Sequence, residues 1–169
     1  MNVLEAIANR RSIRKFTAEP VSEEKIETML KAAMAAPSAG NEQPWQFIVI
    51  DDKAQLEKTA KLTPYIGMAA KAPLSIMVLG DRNAEKYPGN WMLDCSAAIQ
   101  NLLLAAHSEG LGAVWCGLWP EEDRVDAARV LVKAPENTVP LAVIVLGHPD
   151  QDLKPKDRFD ASRVHKNVW

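Results

Sequence analysis

Residues 91–109, Trp-Met-Leu-Asp-Cys-Ser-Ala-Ala-Ile-Gln-Asn-Leu-Leu-Leu-Ala-Ala-His-Ser-Glu, predict one long helix around which the fold is built. Apolar side chains cover most of its circumference, which is typical of a helix buried inside a domain or against a second subunit. The polar residues Asp94, Asn101 and Ser108 are spaced seven apart and therefore share one narrow stripe. We interpret Asn101 as a hydrogen-bonded core group rather than a ligand. Gly110, just after the helix, is typical of a left-handed cap.

Apolar runs on both sides of this helix predict strands, and amphipathic runs predict further helices. The strands are expected at residues 47–50, 74–80, 113–116 and 139–146. The helices are expected at residues 2–9, 22–36 and 53–62, and from Pro120 onward. Because the last strand is apolar throughout, we expect it in the middle of the sheet. Helices that alternate with about four strands indicate a layered α/β or α+β domain.

The composition indicates an ordinary globular chain that forms one domain over residues 1–169. A net charge of −2 argues against a general nucleic-acid binder, because no overall positive field would hold a polyanion. We expect neither a membrane span nor a signal peptide. Cys95 and Cys116 are isolated, which favours a reducing cytoplasm over a disulfide framework. The three histidines lack the spacing of metal ligands, so no metal site is expected: His107, His148 and His165.

A basic segment, residues 10–16 (Arg-Arg-Ser-Ile-Arg-Lys-Phe), follows the first predicted helix and predicts an anion site. Four cations so close together repel one another, and an anion would hold them in one ordered place. Arginine presents a planar fork of donors that suits phosphate, and the serine hydroxyl adds another donor. A solvated basic turn and a nucleic-acid patch or sorting signal are the alternatives for this segment.

The usual catalytic and nucleotide-binding motifs are missing from the chain. The pair Gly110 and Gly112 resembles part of a dinucleotide fingerprint, but Trp115 stands where the third glycine would be. There is no phosphate-binding P-loop, and none of the histidines is placed for a nucleophilic triad. We therefore expect no catalytic side chain.

Two segments together resemble the opening of the nitroreductase family of flavin enzymes: the basic segment and residues 36–45, Ala-Pro-Ser-Ala-Gly-Asn-Glu-Gln-Pro-Trp. Further pieces agree in the same order along the chain. They are residues 100–106 with 110–112, Gly147, residues 155–158, residues 163–165 and Trp169. The resemblance runs from residue 3 to residue 169.

The resemblance implies a mostly antiparallel sheet of about four to five strands flanked by helices. It also implies an intertwined homodimer that holds two FMN molecules between its subunits, with residues 149–169 docking on the partner. The implied activity is hydride transfer from NADH or NADPH, through FMN, to a small electrophile such as a nitroaromatic or a quinone. Because we expect no general acid, the two substrates should use one flavin face in turn, which gives ping-pong kinetics.

The resemblance also implies which residues contact FMN. The phosphate would be held by Arg10, Ser12, Lys156 and Arg158, with Arg11 beside them. Arg14 would lie against the pyrimidine edge of the flavin, where it supports the reduced state electrostatically. The partner subunit would contribute Pro37, Ser38, Asn41 and Gln43. Backbone groups at Gly117 and Leu118 would meet flavin N5.

Departures from the family pattern leave alternatives open. Ala39 stands where a second serine is common, and residues 81–90 allow only a short lid, so the substrate is not specified. Other flavin reactions of the family remain alternatives, including flavin breakdown, dehalogenation and enone reduction. A flavin-binding protein without turnover is another. For Ser38 and Asn41, the alternative to cofactor binding is that they hold their own loop through turn hydrogen bonds.

Overall fold

A four-stranded antiparallel sheet lies at the centre of the computed structural model, which describes residues 1–169. The strands are β1 (Trp45–Ile50), β2 (Leu74–Asp81), β3 (Gly112–Gly117) and β4 (Thr138–Gly147). Their order in the sheet is β1-β2-β4-β3. The predicted α+β class and the antiparallel sheet are therefore confirmed.

The register of the sheet places β4 between β2 and β3, as its uniformly apolar sequence predicted. Leu74 of β2 pairs with Leu146 of β4, and Gly112 of β3 pairs with Gly147. A bulge between Val78 and Leu79 shifts the register of β2 against β4. The two central strands are buried on both faces, which explains why their sequences do not alternate.

Five α-helices cover the sheet: α1 (Val3–Asn9), α2 (Glu23–Met34), α3 (Lys53–Thr59), α4 (Trp91–Ser108) and α5 (Glu122–Val132). Side-chain caps fix the starts of the first three helices. At the start of α1, Asn2 and Glu5 form a reciprocal capping box. The side chains of Ser22 and Asp52 accept hydrogen bonds from backbone N–H groups in the first turns of α2 and α3, respectively. The stretch predicted to open α5, residues 120–123, contains its start, because Glu121 is the N-cap and Glu122 and Asp123 lie in the first turn.

The hydrophobic core is divided by the sheet into two clusters. On one face, α2 and α4 pack on the strands and bury Met29, Trp91 and Ile99 among others. On the other face, α3, α5 and the turn at Gly67–Ala70 enclose a smaller cluster that includes Ile66 and Leu118. None of the helices combines the length and hydropathy that crossing a bilayer requires.

Helix α4 is buried on the sides that face the sheet and α2, but not all round. Leu93 remains 66 % exposed and Leu104 is half-buried, so the complete burial suggested by the composition is not reached within one chain. The polar stripe faces α2 and the loop after it, where Asn101 donates to the Ala32 carbonyl. Gly110 ends the helix with φ of 76°, which confirms the predicted left-handed cap.

The C-terminal tail contributes little to the core of its own chain. Residues 152–169 are all exposed, and their one helical element is a short turn at Ala161–Arg163. The terminal Trp169 is 99 % exposed and stacks on His165, with 4.2 Å between the ring centroids. The predicted docking of this tail on a partner subunit stays a prediction.

Candidate functional site

The basic segment lies in extended form along the outer side of β3. Ser12 forms a parallel bridge with Ala113, and the Ile13 N–H donates to the Ala113 carbonyl at 3.0 Å. Ile13 is buried, so the residue anchors the segment through its backbone and its side chain. Gly112 permits this close approach, since a Cβ there would lie 2.7 Å from the Cβ of Ile13. The sheet therefore holds the basic residues at a fixed place on its edge.

Four cations from the two ends of the chain meet at one cavity. Arg10, Arg11, Lys156 and Arg158 line a space of about 530 Å³ beside the last turn of α1. None of the four takes part in an ion pair within the chain. Burial and the charges of Arg11 and Arg158 lower the pKa of the Arg10 guanidinium. An anion in the cavity would relieve this repulsion, as the basic segment predicted.

Arg11 also joins the basic segment to the tail, a role that the sequence did not indicate. Its Nη1 donates to the carbonyls of Ala8 and Arg10, at 2.9 and 2.6 Å. Its Nε donates to the carbonyl of Lys154 at 3.2 Å, while Nη2 is buried without a partner. The bond to Lys154 holds the tail next to the cavity that Lys156 and Arg158 line.

Gln151 is a second anchor of the tail that sequence reasoning missed. Its side-chain Oε1 accepts from the backbone N–H groups of Arg14 and Lys15, at 2.7 and 3.1 Å. The Asp150 N–H donates to the Lys15 carbonyl at 2.9 Å. A single glutamine in a polar tail carries no pattern that would reveal this contact.

The side chain of Arg14 lies near the C-terminal end of β3. Burial raises the pKa of the Cys116 thiol to about 11, and the nearby charge of Arg14 acts in the opposite direction. Gly117 follows in the strand and is exposed, whereas the Leu118 N–H already donates to the Leu141 carbonyl at 2.9 Å. The structure thus brings Arg14 close to the strand end that carries Gly117. The Leu118 N–H is already hydrogen-bonded within the chain.

The loop that follows α2 is held by its own side chains. The Ser38 hydroxyl accepts from the Gln43 N–H, and the Gln43 amide donates to the Asn41 side chain, both at 3.0 Å. This is the turn hydrogen bonding that the sequence offered as an alternative. Pro37, Ser38, Asn41 and Gln43 do not line the cationic cavity of their own chain. Their predicted contribution to a partner's site remains a prediction.

No cysteine or histidine of the chain is activated as a nucleophile or as a base near the cavity. Burial raises the pKa of the Cys95 thiol to about 12, so both thiols stay protonated at neutral pH. Burial and the charges of Arg10 and Arg11 lower the pKa of His107, which disfavours its cationic form. The arrangement therefore suits binding of a phosphorylated molecule that brings its own reactivity.

Comparison with known proteins gives a consistent result. The sequence model described as "Nitroreductase family" matches residues 7–70 and 64–148. A protein of Methanothermobacter thermautotrophicus, provisionally named NADH dehydrogenase/NAD(P)H nitroreductase, is 50 % identical over 100 % of this chain and 88 % of its own length. A provisionally named NADH dehydrogenase/NAD(P)H nitroreductase from Parabacteroides distasonis superposes with a TM-score of 0.95, at 42 % identity and full coverage of both chains. A provisionally named nitroreductase from Desulfovibrio desulfuricans, solved with FMN, superposes with a TM-score of 0.85 at 36 % identity. The match covers 100 % of this chain and 98 % of the other.

Proposed function

The chain belongs to the nitroreductase family, and we propose that it is an FMN-dependent oxidoreductase using NADH or NADPH. The observation that carries this proposal is the cavity shared by Arg10, Arg11, Lys156 and Arg158, which gathers four cations without an ion pair in a chain of net charge −2. A family relative solved with FMN and relatives named for NAD(P)H support the choice of cofactor and electron donor.

The residues of the cavity fit a phosphate group. Burial, and then the charges of Arg11 and Arg158, lower the pKa of Arg10, so its cationic form is disfavoured in a cavity that Asp157 also lines. The buried Nη2 of Arg11 has no acceptor, so a donor remains for an anion. Arg10, Lys156 and Arg158 would hold the phosphate with Ser12, and Arg11 would keep the tail in place.

FMN held by these residues would supply hydride transfer between NADH or NADPH and a small electrophile such as a nitroaromatic or a quinone. Arg14 would lie against the pyrimidine edge and stabilise the negative charge that the reduced cofactor carries there. Gly117 would offer its backbone near N5, where it can orient without adding a competing acid. The buried, protonated thiols of Cys95 and Cys116 would take no part.

The complete site in this proposal needs a second copy of the chain. Residues 1–169 form one cofactor-binding domain, and residues 149–169 dock on the partner subunit. Pro37, Ser38, Asn41 and Gln43 would then reach the partner's cofactor, which agrees with their absence from the cavity of their own chain. The two free, buried cysteines favour a cytoplasmic location.

A visible spectrum of the purified protein tests the proposal directly. We expect flavin absorption bands, and we expect denaturation to release FMN rather than FAD. Steady-state kinetics with NADH or NADPH and a quinone should give parallel lines in double-reciprocal plots, because both substrates use one site in turn. A colourless protein that takes up no FMN on incubation would refute the function, and intersecting lines would refute the shared site.

A further inference from the structure

Two carboxyl groups from distant parts of the chain are buried against each other. Glu42 lies in the loop before β1 and is 7 % exposed, and Asp94 lies in the first turn of α4 and is 5 % exposed. The two carboxyl groups are close enough for each to shift the pKa of the other. Neither of them takes part in an ion pair. Two buried carboxylates that form no ion pair would repel each other strongly, and a proton between them would remove this repulsion.

The hydrogen bonds of the pair leave one oxygen of each carboxyl group without a donor. Glu42 Oε2 accepts from the N–H groups of Lys86 and Tyr87, at 2.7 and 3.1 Å. Asp94 Oδ1 accepts from the Ala39 N–H at 2.9 Å. Glu42 Oε1 and Asp94 Oδ2 are fully buried and receive no hydrogen bond. A proton held between these two oxygens satisfies both of them at once.

The surroundings place that proton on Asp94. Burial raises the pKa of Asp94, and the neighbouring charges of Glu42 and Glu85 raise it further, against the Ala39 N–H. The pKa of Glu42 is lowered, although burial acts to raise it. The N–H groups of Lys86 and Tyr87, the contact with Asp94 and the charge of Lys86 together outweigh the effect of burial. Cys95, beside Asp94, is neutral because burial raises the pKa of its thiol to about 12.

The pair connects three segments of the chain. Through Ala39 it ties the loop at residues 37–43 to α4, and through Lys86 and Tyr87 it ties the same loop to residues 84–90. Lys86 Nζ also donates to the Gly40 carbonyl at 3.2 Å. The Tyr87 ring lies over Gly40, where a Cβ would approach the ring to 2.3 Å. The loop with the predicted cofactor contacts and the short lid are thus fixed together.

We propose that Glu42 and Asp94 share one proton and act as positioning residues, fixing the loop at residues 37–43 against α4 and the segment at residues 84–90. The sharing of the proton rests on the burial of both carboxyl groups and on their two oxygens that lack a donor. Its consequence for the cofactor rests on the proposed function, since Ser38 and Asn41 lie in the loop that the pair fixes.

The proton makes the clamp sensitive to pH in a defined direction. The folded chain binds a proton on Asp94 at pH values where the unfolded chain, with the ordinary value of 3.8, has already lost it. Stability is therefore lost as the pH rises through the raised pKa of Asp94. For Glu42, whose pKa is lowered, stability is lost as the pH falls through that lowered value. The clamp should be tightest between the two.

Amide substitutions test the proton without removing the hydrogen bonds. In Glu42→Gln or Asp94→Asn, the amide oxygen can accept from the backbone and the NH₂ group can donate to the remaining carboxylate in place of the proton. In the double variant both oxygens are needed by the backbone, so two NH₂ groups face each other without an acceptor. Each single variant should weaken FMN binding by no more than about threefold, because its hydrogen bonds are kept. In the double variant, FMN affinity should fall about ten- to a hundredfold further than the product of the two single-variant losses.

Thermal melts across pH, recorded with and without FMN, give the second measurement. Both single variants should lose the alkaline decline that the shared proton causes in the wild type. Glu57→Gln, at an exposed position on α3, is the matched control and should keep that decline. A double variant that merely adds the two single effects would overturn the proposal, as would single variants with the wild-type alkaline profile.

The melts also separate this inference from the proposed function. A wild type that binds no FMN refutes the function and the cofactor role of the loop, while the apo melts still decide whether the proton is shared. If the double variant does not fold, the pH profiles of the single variants decide the question. A wild type that binds FMN, together with single variants of unchanged pH profile, refutes the shared proton and leaves the function standing.

Discussion

At the scale of single residues, Arg10 shows how a cation is prepared for an anionic partner. The residue caps the end of α1, and its side chain shares a cavity with Lys156 and Arg158 from the far end of the chain. Burial and the neighbouring charges lower its pKa, so the folded chain carries an unfavourable interaction that a phosphate would reverse. Binding and folding are therefore coupled at this residue, and phosphate should raise the melting temperature.

Replacing Arg10 by Ala should weaken FMN binding by about 1.5–3 kcal/mol, the usual contribution of a hydrogen bond to a charged group. The affinity of the variant for riboflavin, which lacks the phosphate, should fall much less, because Arg10 contacts the phosphate and not the ring. Fluorescence titration with both ligands measures the two losses. Lys61→Ala removes an exposed cation away from the cavity and is the control. Equal losses for FMN and riboflavin would show that Arg10 does not contact the phosphate.

At the scale of elements, the basic segment depends on its contact with β3. The Ile13 N–H bonds to Ala113, and the Ile13 side chain lies directly over Gly112. A side chain at residue 112 would meet the Cβ of Ile13, which cannot move without the backbone. The glycine is therefore needed for close approach, and its φ plays no part in this.

Gly112→Ala should lower the free energy of unfolding by about 1–3 kcal/mol, as overpacking does in a close-packed contact. It should also weaken FMN binding, because the shifted segment moves Arg10 and Arg14 away from their positions. Chemical denaturation and FMN titration measure the two effects. Gly67→Ala is the matched control, since a Cβ there meets nothing within 4 Å. A Gly112→Ala variant as stable as Gly67→Ala would contradict the close packing of this contact.

At the scale of the whole molecule, one chain leaves much apolar surface uncovered. Five large apolar side chains on α1, at the end of α2 and on α4 are exposed: Val3, Leu4, Ile7, Met34 and Leu93. A cavity of about 410 Å³ lies between the same three helices. The tail adds Trp169, which is almost completely exposed. Such surfaces favour association with a second copy, as the resemblance to the family implied.

Deleting residues 155–169 should convert a dimer towards monomer and abolish FMN retention, because the deletion removes both the docking tail and two of the phosphate cations. Lys154 remains, so the bond from Arg11 to its carbonyl is kept. The matched control is the full-length double variant Lys156→Ala and Arg158→Ala, which should lose FMN and remain a dimer. Analytical ultracentrifugation and the visible spectrum measure the two properties. A flavin-loaded monomer of either variant would contradict the assembly.

The sequence by itself determined the elements and the central part of the sheet. Periodicity predicted all four strands and the helices, because burial of one face imposes a local pattern on the chain. The uniformly apolar run at residues 139–146 placed β4 inside the sheet, and Gly110 marked the end of α4. The family was recognised because several short motifs occur in the right order, and the match to residues 7–70 and 64–148 confirms it.

Only the tertiary structure decided which distant residues meet. The cavity joins Arg10 to Arg158, Gln151 receives the backbone of Arg14, and Glu42 contacts Asp94. A local pattern reports which face of a helix or strand is buried, but not which group from another segment faces it there. Asp94 could be placed on the polar stripe of α4 from its spacing, whereas Glu42 in a polar loop had no such signal. Their contact follows from the packing of the loop on α4, which depends on the whole chain and not on its neighbours in sequence.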